Sequence, residues 1–259
     1  MGHWELLYSL FTAICLHDEV LADGSGIPRN SLGLCLADAK WARKMRFDMH
    51  ESTLETTKTN LERNGFSVYV CENSVRAREV FINNILPGLN AKSASYGDSI
   101  TLEATEIIEY LRQNNRIQFI ETFDTTKTWK EIIELRKQAL SVDLFLAGAN
   151  AVTEEGQIIN LDMVGNRING IVFGPKNVVL AIGKNKIVAN LAEGMKRIKT
   201  ISAPGNAKRH PELSTSCQKL GCCVNCSSEQ RICNVWSIID KCFPKKRIKI
   251  LLINADLGL

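Results

Sequence analysis

Two rhythms of apolar positions alternate along most of this chain. From Asp38 onward Trp41, Met45, Met49 and Leu54 or Leu61 return at roughly helical intervals until the Asn64-Gly65 stop, which predicts a helix. Phe66 to Cys71 is β-rich and alternating, as a strand requires. Asn73-Ser74 then caps a helix over Val75 to Ile85, closed by Pro87-Gly88. The unit recurs: a short strand at Ser93 to Tyr96 with a helix from Thr101 to Gln113, then Ile117 to Ile120 with a helix from Thr126 to Leu140, then a strand at Leu144 to Ala147. Strands alternating with helices need long crossovers, so the pattern predicts parallel β-α-β connections and an α/β sheet with helices on both faces.

Beyond Ala147 the texture shifts to short β segments with turns at Glu155-Gly156 and Val164-Gly165-Asn166. The apolar run Val178 to Ile182 predicts a buried strand, and Asn185 to Lys199 a helix with Ile187, Leu191, Met195 and Ile198 on one face. Pro204 to Asn234 lacks periodicity, and the β runs Val235 to Ile239 and Ile248 to Ile253 are expected to return to the sheet. Gly24 to Asn30 is rich in residues that break regular structure, which separates an N-terminal appendage, 1–37, from an α/β domain over 38–259. Within the appendage Trp4 to Leu16 is mostly apolar. Glu5 interrupts it, no Lys or Arg precedes it, and it is shorter than the about 20 residues that span a bilayer, so a packing N-terminal helical segment is expected rather than a membrane anchor.

Composition changes this picture little. With 259 residues, 45% hydrophobic and 23% charged, the chain has the makings of an ordinary globular domain. The net charge of +4 is modest and the basic residues are dispersed, apart from Lys245-Lys246-Arg247, so no nucleic-acid partner is expected.

Cysteine placement changes it more. Six of the nine cysteines fall in the last quarter of the chain, and a chain of this length without a signal peptide is not a disulfide scaffold. That argues for a reducing, cytoplasmic setting. Cys217, Cys223, Cys226 and Cys233 lie within an aperiodic loop, 214–234, that includes a Cys-x2-Cys knuckle with Gly221 upstream to let the backbone bend. Four soft thiolates suit zinc or an iron–sulfur cluster, and ligand type does not separate the two; buried free thiols or disulfides are the plainer alternative. Cys222 is an alternative ligand or a spare thiol, while Cys15, Cys35, Cys71 and Cys242 have the setting of packing residues.

The glycine-rich turns supply the other candidate chemistry. Gly97, Ser99 and Thr101 sit where a strand gives way to a helix, so they form either an anion-binding corner or a simple cap. Their spacing matches neither a phosphate-binding loop for ATP nor a dinucleotide fingerprint. Asn150, Glu154, Asp162, Asn166 and Arg167 fall in the following turns, where small residues allow a ligand close to the backbone. Glu154 or Asp162 is the candidate catalytic carboxylate, and Arg167 either clamps a carboxylate or makes a surface ion pair. The histidines at 3, 17, 50 and 210 are remote from these turns, which leaves a nucleophile–histidine relay without support.

Taken in order, these segments resemble the lactate-utilisation, or LUD-domain, family over Asp38 to Leu259. The resemblance is carried by Lys40-Trp41, the turn from Gly97 to Leu102, Gly148 to Gly156 and Gly165-Asn166-Arg167. It continues through Phe173 to Lys176, Gly183 to Lys186, Ala203 to Arg209, the cysteine loop ending in Arg231 to Asn234, and Asn254 to Gly258. It implies a fold similar to the NagB/RpiA/CoA-transferase group, with loops forming a cleft at one end of the sheet. It also implies a link to oxidation of lactate to pyruvate beside iron–sulfur proteins. Carried onto this chain it gives Cys217, Cys223, Cys226 and Cys233 as the four thiol positions, with Cys222 where the family shows another residue. The chain also departs from the family at Tyr96-Gly97-Asp98-Ser99, where Gly-Gly-Ser is usual.

The expectation is therefore an accessory or redox-linked protein of organic-acid utilisation. It would bind a small carboxylate or phosphate-bearing ligand through Gly97, Ser99, Thr101, Asn150, Asn166 and Arg167, and zinc or an iron–sulfur cluster through the four cysteines. An iron–sulfur protein partner and a homo-oligomer fit the same expectation, and a membrane does not. An enzyme of acyl or CoA transfer, or of sugar-phosphate isomerisation, is the alternative suggested by the fold group, and a subunit with a structural zinc clip is another.

Overall fold

The computed structural model describes residues 53–259. The expected appendage, its boundary at 37, the residues Lys40, Trp41, Met45 and Met49, and the thiols Cys15 and Cys35 all lie outside the described residues. A helix, α1, covers 53–63 and ends at the Asn64-Gly65 turn. Six strands follow in one sheet: β1 (Ser67–Cys71), β2 (Ser93–Tyr96), β3 (Gln118–Ile120), β4 (Leu144–Gly148), β7 (Asn177–Gly183) and β10 (Ile248–Ile253), in the order β1-β10-β7-β4-β2-β3. Every pairing among them is parallel.

The central strands are buried on both faces, which is why they read in sequence as unbroken apolar runs rather than alternations. Side chains still sort by the period of two. In β4, Phe145 packs with Leu61, Ile171 and Leu180 on one face, whereas Leu144 and Leu146 pack with Phe81, Ile107 and Leu111 on the other. Helices thus cover both faces, as the strand–helix alternation requires.

A second, four-stranded sheet contains β5 (Ala151–Thr153), β6 (Ile158–Asp162), β8 (Ile187–Val188) and β9 (Val235–Ile239), in the order β8-β5-β6-β9. This departs from the expectation that Val235 to Ile239 rejoins the main sheet: it pairs antiparallel with β6, from Val235 opposite Asp162 to Ile239 opposite Ile158. The helix expected from Asn185 to Lys199 also begins later. Ile187 and Val188 join a ladder with Val152 and Thr153. The helix Leu191–Arg197 then starts where the Asn190 side chain accepts the Glu193 N–H. Strand pairing outweighs helical periodicity here because the β-branched Ile187-Val188 pair meets a waiting edge. Likewise the single helix expected from Thr101 to Gln113 is two, Ile100–Glu103 and Ile107–Arg112, broken at Glu106 with φ of 54°. The buried Thr105 hydroxyl donates to the Leu102 carbonyl at 2.6 Å, a local bond that competes with the helical ladder. No helix among the described residues is long and apolar enough to cross a membrane.

Candidate functional site

In a parallel sheet the loops that leave the carboxyl ends of the strands enclose the natural ligand crevice. Here the ends of β2 and β4, the end of β6 in the small sheet and the segments carrying Lys186 and Cys233 surround a cleft of about 650 Å³.

Its floor is built from short-range constraints. Asp162 ends β6, and after the tight turn at Gly165, with φ of 80°, the helix Asn166–Val172 brings Arg167 back over it. Asp162 Oδ1 accepts from Arg167 Nε at 3.0 Å and from Nη2 at 2.7 Å, while Oδ2 accepts the Ile168 N–H at 2.9 Å. Arg167 Nη2 also donates to Asn150 Oδ1 at 2.7 Å, and that same oxygen accepts the Leu161 N–H. Asn150 thereby ties the end of β4 to β6 and to the guanidinium. Gly97 has no Cβ for a physical reason: one placed there would stand 2.7 Å from Arg167 Cγ, so the arginine lies across the β2 turn only because that position is bare.

Beside this pair lies a second cation. Lys186 is 4% exposed, its Nζ donates to the Ala149 carbonyl at 3.1 Å, and it lines the cleft. Burial, with Arg167 and Arg197 nearby, brings the lysine's pKa down to about 7. Arg197 is buried as well and spends its guanidinium on the carbonyls of Asn185 and Asn150 and the Ser202 hydroxyl. Burial lowers its pKa too. On the rim, Arg209 pairs with Asp98 at 3.1 Å, and Arg136 stacks on Phe123 and Trp129.

Of the expected ligand-binding residues the cleft gathers Ser99, Asn150, Asn166 and Arg167, together with the candidate carboxylate Asp162. Ser99 Oγ is spent as a helix cap, accepting the Leu102 N–H at 3.2 Å. Thr101 points elsewhere: its hydroxyl donates to the Leu257 carbonyl and secures the C-terminal segment. Glu154 sits in the β5–β6 turn, docked on α1 by Asn60 Nδ2 donating to its carbonyl at 2.7 Å, and does not line the cleft. Lys186, the residue the sequence patterns did not single out as functional, is the one whose chemistry burial has changed most among the lysines described. No signal in the sequence points to it, because Asn185 to Lys199 reads as a helix and the cations that face it come from other elements of the fold.

Four of the five cysteines of the loop line one small apolar void. Cys217, Cys223, Cys226 and Cys233 all line a cavity of about 10 Å³, with Val224, Arg231 and Ile232. Arg231 braces this segment through the carbonyls of Cys226 and Cys233 and the Asn225 side chain. Backbone N–H groups of Ser228 and Ser216, with Arg231, lower the pKa of Cys226 and favour its thiolate. As placed, no three Cys, His, Asp or Glu side chains among the described residues form a metal-binding group, and the described cysteines are free thiols. Cys222 is exposed and outside the void, whereas Cys71 and Cys242 are buried packing thiols. Cys233 and Ile232 line both the void and the large cleft, so the loop forms part of the cleft wall.

The model of the LUD-domain family matches residues 54–253. A solved structure, that of a DUF162 family protein from Deinococcus radiodurans, matches at 12% identity with a TM-score of 0.42, covering 79% of this chain and 97% of that one. No curated protein matches the chain.

Proposed function

The chain belongs to the LUD-domain family, and from that premise we propose that it serves lactate and organic-acid utilisation by binding a small carboxylate or phosphate-bearing ligand in its cleft. The observation that carries this reading is the charge balance of the floor. Arg167, Lys186 and Arg197 converge on the end of β4, with Asp162 the only carboxylate hydrogen-bonded to any of them among the described residues. Arg167 Nη1 has no partner within the described chain, so its donors are available to an anion, and charge-assisted bonds of this kind are the stronger ones. A carboxylate nucleophile, as acyl transfer would use, fits less well. Both oxygens of Asp162 are occupied by Arg167 and the Ile168 N–H, which makes it a positioning group for the guanidinium.

We propose in addition that the cysteine loop holds a metal or an iron–sulfur cluster. Its donor set, its shared void and the N–H groups aimed at Cys226 suit a thiolate-bound centre held by Cys217, Cys223, Cys226 and Cys233. Zinc there would lend structural order, and an iron–sulfur cluster would carry electrons to an iron–sulfur partner protein.

Calorimetric titration of the protein with pyruvate, L-lactate and inorganic phosphate tests the cleft. Binding of at least one of these anions is expected, weakened about ten- to a hundredfold in Arg167→Ala, the loss of a hydrogen bond to a charged group. An absence of binding by all three, or equal affinity in the variant, would overturn the proposal.

A further inference from the structure

Lysine ordinarily makes a poor nucleophile at neutral pH because it is protonated; it becomes a good one when desolvated or set beside another cation. Lys186 has both conditions. It is 4% exposed, yet it borders the cleft, and among the described residues its Nζ has one hydrogen bond, to the Ala149 carbonyl, and no carboxylate partner. The groups facing it are cationic, Arg167 from the helix after β6 and Arg197 from the helix after β8. The ammonium form is therefore disfavoured from two sides, and with its pKa at about 7 a large share of the amine is neutral near pH 7. The fold also sets it next to an anion clamp. Lys186 Nζ is anchored to Ala149 and Arg167 Nη2 to Asn150, two consecutive residues at the end of β4. These anchors bring the amine and the guanidinium to the same end of the strand, the arrangement that a molecule with a ketone beside its carboxylate requires.

We propose that Lys186 forms an imine with a 2-oxo acid whose carboxylate is held by Arg167, an inference that rests on the anion-binding cleft described above. The neutral Nζ adds its lone pair to the ketone carbon, giving a carbinolamine. The nitrogen then loses its protons as the hydroxyl leaves as water, so one amine and one ketone become one imine and one water, with no oxidant or reductant required. Protonation of the imine makes it an electron sink for the adjoining bonds. Asp162, bound at both oxygens, keeps the guanidinium aimed and takes no part in the condensation.

The test is reductive trapping. The full chain is incubated with pyruvate and cyanoborohydride near pH 7, digested, and mapped by mass spectrometry. The expected product is a single site of modification at Lys186, heavier by one pyruvate less one oxygen atom, formed at least tenfold faster than at any surface lysine. L-Lactate, which has no ketone, leaves no adduct. Arg167→Ala keeps the amine and should slow trapping at least tenfold, and Lys186→Met should abolish it; circular dichroism of each variant shows whether the fold is kept, and Arg167→Ala carries the test if Lys186→Met does not fold. Pyruvate binding by calorimetry without an adduct at Lys186 overturns the imine while leaving the anion cleft standing. Neither binding nor adduct overturns both, and adducts spread evenly over exposed lysines overturn the imine alone.

Discussion

Replacing Asp162 with alanine is expected to destabilise the folded domain by about 3–5 kcal/mol, the cost of leaving a buried charge without its partner. The side chains of the pair are only 6% and 12% exposed, so water reaching them from the cleft replaces the lost carboxylate only in part. The same change strips the acceptor from the Ile168 N–H in the first turn of its helix, a loss comparable to that of a helix cap. Urea denaturation of the wild type and Asp162→Ala measures the effect. The double variant Asp162→Leu with Arg167→Met should recover much of the loss, because a buried ion pair is replaced by apolar groups far more cheaply than it is halved. A cost under about 1 kcal/mol for Asp162→Ala would show that the floor of the cleft is not built on this pair.

The second large effect concerns the cysteine loop. Its own packing is thin: Leu220 is 62% exposed and Val224 51%, and Cys217, Cys223, Cys226 and Cys233 line the small void at its centre. A loop so poor in buried apolar surface has little packing of its own to order it, so on the proposed reading a centre bound by the thiols would supply that order. The protein purified anaerobically is expected to carry zinc or iron, and Cys226→Ser to lose most of it. Removing the metal with a chelator should raise amide hydrogen exchange across 215–233 by about a hundredfold or more while leaving β4, β7 and β10 protected, since free energies of metal binding are folding free energies for the segment that holds the ion. A metal-free wild type whose loop exchanges as slowly as the sheet would remove the metal from the account.

How much of this was readable in advance differs by element. The strands at Leu144 to Ala147, Val178 to Ile182 and Ile248 to Ile253 announced themselves because burial on both faces demands an uninterrupted apolar run. Asn73 as a helix cap was equally plain, since capping is a bond to the residues just ahead. The destination of Val235 to Ile239 was not legible: a short run of β-branched and aromatic residues states that a strand forms, and says nothing about which edge it joins. Ile187-Val188 shows the same limit, with helical spacing overridden by a partner strand distant in sequence.

The site divides along the same line. Asp162, Asn166 and Arg167 lie close together in the chain around one glycine turn, and the sulfurs of the loop are likewise neighbours in sequence, so residue type and spacing were enough to nominate them. Lys186 could not be nominated that way, because its altered acidity arises from three separate stretches, around 149–150, 167 and 197, closing over it. Glu154 was a reasonable candidate by type, yet the turn that carries it faces α1. Local order, caps and ligand-like spacing are properties of adjacent residues and so are written in the chain. Which charge is deprived of water and which carboxylate faces the cleft depend on distant segments meeting, and only the tertiary structure decided them.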